Sequence, residues 1–210
     1  AYFDDEPVYE NPSVKEQIAF VADELYFLTG SNMKKMALMY KRLYDNFDMD
    51  RFNELTKIFG LDPDKNIANF SKGMRRQASI ILTLSTRAKY MFFDETFDGL
   101  DPVMRNLVKK LICDDVAEKG STVIITSHSL RELEDICDHL ALLHKGGLVL
   151  DSDVLEMKTT QFKVQVAFEE KFNESKFWDM NITRYRQEGS VANMIVNGDR
   201  EEMIKRFRDM

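Results

Sequence analysis

At 210 residues, 44% hydrophobic and 31% charged, the chain is large enough for one substantial core, or for one domain plus a small appendage. Its formal net charge of -7 gives it no general footing on phosphate backbones, which sets nucleic acid aside as a partner. Cys113 and Cys137 stand far apart, so neither a disulfide framework nor a zinc site is expected, and no apolar stretch approaches the roughly 18 residues of a membrane span. The acidic start, Ala1 to Glu6, has the wrong charge for a secretory signal.

In chain order, residues 1 to 12 read as an irregular acidic and aromatic loop ending in Asn11-Pro12. Ser13 and Glu16 have capping-box spacing, and Val14, Ile18, Val21, Ala22 and Leu25 follow at helical spacing, so a helix is predicted from Ser13. Met33, Met36, Ala37, Tyr40, Leu43, Tyr44 and Phe47 mark a second helix, and Phe52, Leu55, Ile58 and Phe59 a third before Gly60. Residues 13 to 68 thus form a mostly helical subdomain. The methionines between Met33 and Met39 fit either a docking surface or core, and apolar helical stripes usually pack into core.

Ser71-Lys72-Gly73 opens a helix carrying Ala78, Ile81, Leu82 and Leu84. Next comes Tyr90-Met91-Phe92-Phe93, a continuous apolar run of the kind found in strands buried on both faces of a parallel sheet, and it ends in two carboxylates, Asp94 and Glu95. Asp101 can cap a helix whose first position is Pro102, Val103 to Ile112 keep helical spacing, and Gly120 closes it. Thr122 to Thr126 then reads as a second strand, followed by Ser127 and His128. A strand, helix and strand of this size forms a right-handed βαβ unit, which would bring Asp94, Glu95 and His128 to one crevice at the strand ends. Ser129 and Glu132 are spaced as a capping box for the next helix.

Beyond Asp151 the pattern changes. Phe162 to Phe168 alternates, Ile182 to Arg186 and Val191 to Val196 flank Gly189-Ser190 as a hairpin, and a helix from about Arg200 to Phe207 closes the chain. The expected organisation is an α/β domain over 1–151, with its helical subdomain at 13–68, and a small α+β appendage over 152–210.

Chemistry points to Mg²⁺ and nucleotide. A strand-end Asp94 suits a cation that prefers a few carboxylate oxygens, and Glu95 beside it suits a base that activates water. His128 can donate to a phosphate, and the free N–H groups at Ser71 and Gly73 suit an anion.

These residues together resemble the ATP-binding subunits of ABC transporters. Phe70-Ser71-Lys72-Gly73-Met74 is similar to their signature LSGGQ, Tyr90 to Glu95 to the Walker B strand with its catalytic Glu, Gly99-Leu100-Asp101 to the D-loop, and His128 to the switch histidine. Tyr2 to Glu16 resembles the segment around the Q-loop, with Asp5 where Gln is expected. Lys72, Met74 and Thr96 also depart from the usual pattern. The resemblance implies a P-loop NTPase-like parallel sheet with ATP and Mg²⁺ as cofactors: Asp94 on the metal, Glu95 and His128 catalytic, and Ser71, Gly73, Asp101 and Asp5 around the nucleotide. It implies two partners, a transmembrane permease subunit and a second ATP-binding subunit, and a place on the cytoplasmic face of the membrane.

No G-x-x-x-x-G-K-S/T stretch occurs, so the Walker A cradle of the β- and γ-phosphates is missing from these residues. The expectation is therefore an ATPase domain without its N-terminal part, inactive alone and with apolar surface left uncovered. Two alternatives stand beside it: a soluble ATPase of the same type acting on DNA or ribosomes, which a basic patch or long coiled-coil insert would favour and neither is visible, and a non-enzymatic scaffold, against which the presence of Glu95 and His128 argues.

Overall fold

The computed structural model describes residues 1–210 as two compact units, Ala1–Ile136 and Cys137–Met210. The first begins with a minimal antiparallel hairpin, β1 (Tyr2–Phe3) and β2 (Glu6–Pro7), and a single helical turn, α1 (Pro12–Lys15). Asn11, not Ser13, caps that turn, its side chain accepting from the Val14 N–H at 3.4 Å. The helix predicted from Ser13 stops at Lys15, and Ile18–Val21 is a strand, β3. Val14, Ile18, Val21 and Leu25 fit a helical period, but the unbroken run Ile-Ala-Phe-Val has the β-branched and aromatic content of a strand, and pairing with a neighbour decides the matter.

The helical subdomain follows as α2 (Met33–Leu43), α3 (Met49–Phe59) and a 3₁₀ turn at Ile67–Asn69, then α4 (Lys72–Ser85), β4 (Tyr90–Asp94), α5 (Pro102–Lys119), β5 (Thr122–Thr126) and α6 (Leu130–Glu134). Asp101 caps α5 as its sequence foretells, with Pro102 at the first position and Gly120 at the far end in the left-handed conformation, φ 66°. Strands β3, β4 and β5 form one parallel sheet in that order, with Phe20 beside Phe92 beside Ile124, and Val21 beside Phe93 beside Ile125. The fold is thus an α/β, P-loop NTPase-like one, in which the carboxyl ends of three parallel strands share one edge.

One face of this sheet is core. Ala19, Val21, Met91 and Phe93 pack with Met33, Met36, Phe52, Leu55, Ile80 and Leu84 of the helices. Met33 and Met36 are buried and Met39 half-buried, so the methionine stripe is core. The other face is open: Phe20 is 53% and Ile124 46% exposed, Phe92 is only half-buried, and Phe3 lies edge-on to Phe92 at 6.0 Å. The continuous apolar run of β4 predicts cover on both faces, whereas here burial alternates along the strand. Apolar rows of this kind seek cover. The 210-residue chain should therefore self-associate and bind an apolar dye, and Phe20→Glu combined with Ile124→Lys should shift sedimentation toward monomer.

The second unit begins with the antiparallel pair β6 (His139–His144) and β7 (Gly147–Asp153), followed by α7 (Val154–Thr160). Strands β8 (Gln161–Ala167), β9 (Ile182–Glu188) and β10 (Val191–Asn197) form an antiparallel sheet in the order β8-β10-β9, and α8 (Arg200–Asp209) closes the chain. Its core gathers Phe177, Met180, Ala192, Met194, Val196 and Met203. The division falls at 136/137 instead of at the expected 151/152, because β6 pairs with β7 and not with the parallel sheet.

Candidate functional site

The carboxyl ends of β4 and β5 hold the candidate residues. Asp94 is the last residue of β4 and lies opposite Thr126, the last of β5. The Thr126 hydroxyl donates a short hydrogen bond to Asp94 Oδ1, and the Thr126 carbonyl accepts from the Glu95 N–H at 3.2 Å. One residue of β5 thus orients the first carboxylate and anchors the backbone of the second. Glu95 sits at φ 45°, a left-handed conformation that disfavours side chains other than glycine's. From there its Oε2 meets His128 Nδ1 at 3.0 Å. Asp98, in the turn that follows, brings its carboxylate so that Glu95, Asp98 and His128 offer ligand atoms all within 4.8 Å of one another.

The His128 ring is exposed, and its pKa is raised, first by the hydrogen bond to Glu95 and then by the charges of Glu95, Asp98 and Glu132. A raised histidine contributes stability below its ordinary range and loses it as pH climbs through the raised value. Titration followed by NMR should place His128 above the ordinary histidine value of about 6.5, and Glu95→Gln should bring it back down; an unchanged titration in that variant would contradict the pairing.

The turn after Glu95 also meets the start of α4. A Cβ on Gly73 would come within 2.9 Å of the Gly99 carbonyl oxygen, so glycine at 73 lets the two backbones touch, and the Lys72 stem lies over Gly99. Ser71 caps α4, its hydroxyl accepting from the Met74 N–H at 3.2 Å. Asp101 Oδ1 accepts from the Val103 and Met104 N–H groups, both at 3.0 Å. The structure therefore joins Asp94, Glu95 and His128 directly, links Gly73 to them through the 96–101 turn, and gives Ser71 and Asp101 capping bonds.

Asp5 is not brought there. It sits exposed at the tip of the β1–β2 turn, whose neighbouring Asp4 pairs with Lys89 and with the Tyr90 hydroxyl at 2.6 Å, at the entry end of β4. Asp94 lies four residues further along that strand, about 13 Å away at the strand rise. The acidic residue at the correct edge is Asp23: β3 runs parallel to β4 with Val21 beside Phe93, so Ala22 and Asp23 leave the sheet where Asp94 and Glu95 do. The sequence carries a signal for it, since Ile18 to Ala22 followed by Asp23-Glu24 repeats, with one residue more, the pattern of Tyr90 to Phe93 followed by Asp94-Glu95.

A second correction concerns α6. The Ser129 hydroxyl makes no capping bond; instead Ser127 Oγ accepts from the Ser129 N–H at 3.0 Å and donates to Glu132 at 3.1 Å, while Glu132 pairs with Arg105 at 2.6 Å. The loop holding His128 is thus tied on both sides.

Residues 18–134 match the family model described as "AAA domain, putative AbiEii toxin, Type IV TA system". The ABC transporter ATP-binding protein YtrB of Bacillus subtilis is 28% identical over 208 residues, 99% of this chain and 71% of that protein. The chain belongs to the ABC-type ATPase family. Among solved structures, the ATP-binding subunit of an ABC transporter superposes with a TM-score of 0.65 at 21% identity, covering 70% of this chain and 63% of that one. CbiO1 of Clostridium perfringens, part of the ABC transporter complex cbiONQ, gives 0.57 at 20% identity over 75% and 66%. These likenesses show the fold. The chain spans 46%, 35% and 59% of three further ABC transporter ATP-binding relatives, well short of their full lengths.

Proposed function

We propose that this chain is the ATP-hydrolysing subunit of an ABC transporter, acting where two such subunits close head to tail on MgATP and working on a transmembrane permease partner. The observation that carries the reading is the Glu95–His128 contact of 3.0 Å beside the Thr126-held Asp94, at the shared exit of two parallel strands.

The donors present fit a magnesium nucleotide. Asp94 is a hard oxygen donor at a strand end, as Mg²⁺ prefers, whereas Glu95, Asp98 and His128 form a mixed oxygen and nitrogen set better suited to a softer ion. Asp94 is therefore the magnesium carboxylate, and Asp101 and the Ser71–Gly73 backbone border the nucleotide. When bound, Mg²⁺ supplies charge neutralisation to the phosphoryl oxygens. Glu95 accepts the proton of the attacking water, His128 holds the Glu95 carboxylate and presents its other ring nitrogen outward, and Thr126 keeps Asp94 and Glu95 in fixed relation. The 210 residues contain no G-x-x-x-x-G-K-S/T, so turnover requires a phosphate cradle besides the groups named here.

No helix is long and apolar enough to cross a membrane. The partner surface we assign is the groove of about 220 Å³ between the exit of β3 and α2, lined by Phe20, Leu25, Met36, Met39 and Tyr40. The test is Mg²⁺-dependent ATP hydrolysis by the permease-bound assembly: stimulation by the permease and loss of turnover in Glu95→Gln are expected, and hydrolysis indifferent to Glu95 would overturn the reading.

A further inference from the structure

Arg76 lies in α4, one turn beyond the Ser71 cap, and is 1% exposed, the most thoroughly buried charged side chain in the first unit. A guanidinium cannot shed its charge, so burial is tolerable only where its donors find acceptors. Both acceptors come from the exit of β3: Nη1 donates to the Ala22 carbonyl at 2.7 Å and Nη2 to Asp23 Oδ1 at 2.9 Å. Arg76 Nε is buried with no partner, so these two bonds carry the whole burden of solvating the cation.

We infer that Arg76 is a positioning residue that clamps the 22–26 loop to the first turn of α4, so that the two move as one body. Side chains of a helix lean toward its N-terminus, which places the Arg76 stem over the turn that holds Ser71 and Gly73. Separating loop from helix would strand a buried cation without acceptors, which is far costlier than moving both together. The same loop forms one wall of the groove through Ala22 and Leu25, and α4 forms part of another through Ser79. Whatever displaces the loop in that groove thereby acts on the helix start, and through the Gly73–Gly99 contact on the turn beside Glu95. The purpose given to the clamp rests on the ATPase reading; the clamp itself does not, and it is measurable without nucleotide.

The partner residue makes the test gentle, because the Asp23 side chain is 56% exposed and its replacement does not open the core. Amide hydrogen exchange of the 210-residue chain is compared with Asp23→Ala, Asp23→Asn and Arg76→Lys. Asp23→Ala should speed exchange by about fivefold in the 22–26 loop and equally at the Met74 and Arg75 amides, the change expected for losing one half-exposed charge pair. Asp23→Asn keeps the Oδ1 acceptor and should restore wild-type exchange at Met74 and Arg75. Arg76→Lys, unable to fork between two acceptors, should loosen loop and helix together. Changes confined to the loop in Asp23→Ala, an Asp23→Asn variant as loose as Asp23→Ala, or a wild-type α4 start in Arg76→Lys would each overturn the assignment. ATP hydrolysis by the permease-bound assembly that is indifferent to Glu95, with the exchange pattern intact, would instead speak against the functional reading and leave the clamp standing.

Discussion

Glu95→Gln, made in a form of the protein that turns over ATP, should lower kcat by about 10²- to 10⁴-fold, the contribution of a positioned general base, while nucleotide affinity stays unchanged. The amide has the size and shape of the carboxylate and can still meet His128, but it cannot accept the proton of an attacking water. The groups proposed to hold nucleotide, at Asp94, Asp101 and the Ser71–Gly73 turn, are untouched by the change. A drop in kcat without a rise in KM identifies an interaction made in the transition state alone. Near-normal hydrolysis would sink the assignment of Glu95 as base. Glycine at 95 supplies a second readout: at φ 45° it should relieve about 1 kcal/mol of backbone strain, so Glu95→Gly should be more stable than the parent yet equally dead. Stability bought at the expense of activity is what a strained catalytic position predicts.

The residues that spoke plainly in the sequence were those whose local chemistry and tertiary setting agree. Asp101, Pro102 and Gly120 bound α5 through caps that depend on nothing distant, and the β4–α5–β5 unit follows from them. Asp94, Glu95 and His128 meet where the sequence places them, because the end of a parallel strand is a place fixed by topology. What failed was any reading that needed to know a neighbour. Ile18 to Val21 satisfies a helical period and a strand equally well, and only pairing with β4 settles it; with that strand lost, Asp23 was lost too, and Asp5 stood in its place. The continuous apolar run of β4 signalled cover on two faces, while the chain itself covers one. Ser127 and Ser129 differ by two positions, and the backbone path after β5, which sequence does not encode locally, decides which hydroxyl reaches Glu132. The 1% exposure of Arg76 was likewise invisible, since an arginine in a helix reads as solvated until its neighbours are placed.

Asp115 should be the most destabilising surface-distant substitution in the first unit. Its side chain is 2% exposed, on α5, and its Oδ1 accepts from two cations at once: Arg87 Nη1 at 3.0 Å, from the α4–β4 connection, and Arg51 Nη2 at 3.3 Å, from α3. Arg87 also reaches Asp48, the cap of α3, so one carboxylate secures three elements. Burial pushes the Asp115 carboxyl up from its ordinary range, and the two arginines pull it back only in part. The sign follows from proton linkage: the folded state holds this proton more tightly, so stability falls as pH rises from the ordinary carboxylate value through the raised one, then levels off. Deleting the charge removes this penalty, and Asp115→Asn, which retains an Oδ1 acceptor for both arginines, should cost little and flatten the acid limb of the stability profile. Asp115→Ala is different, because it leaves two largely buried guanidiniums without their shared acceptor; breaking such a pair costs about 3–5 kcal/mol, and the partial exposure of both arginines puts this case near the lower end. Denaturant unfolding should show the midpoint of Asp115→Ala displaced by that amount with the slope unchanged. Equal stability of the alanine and asparagine variants would mean that the arginines find other acceptors, and the view of Asp115 as the joint between α3, α5 and the α4–β4 connection would fall.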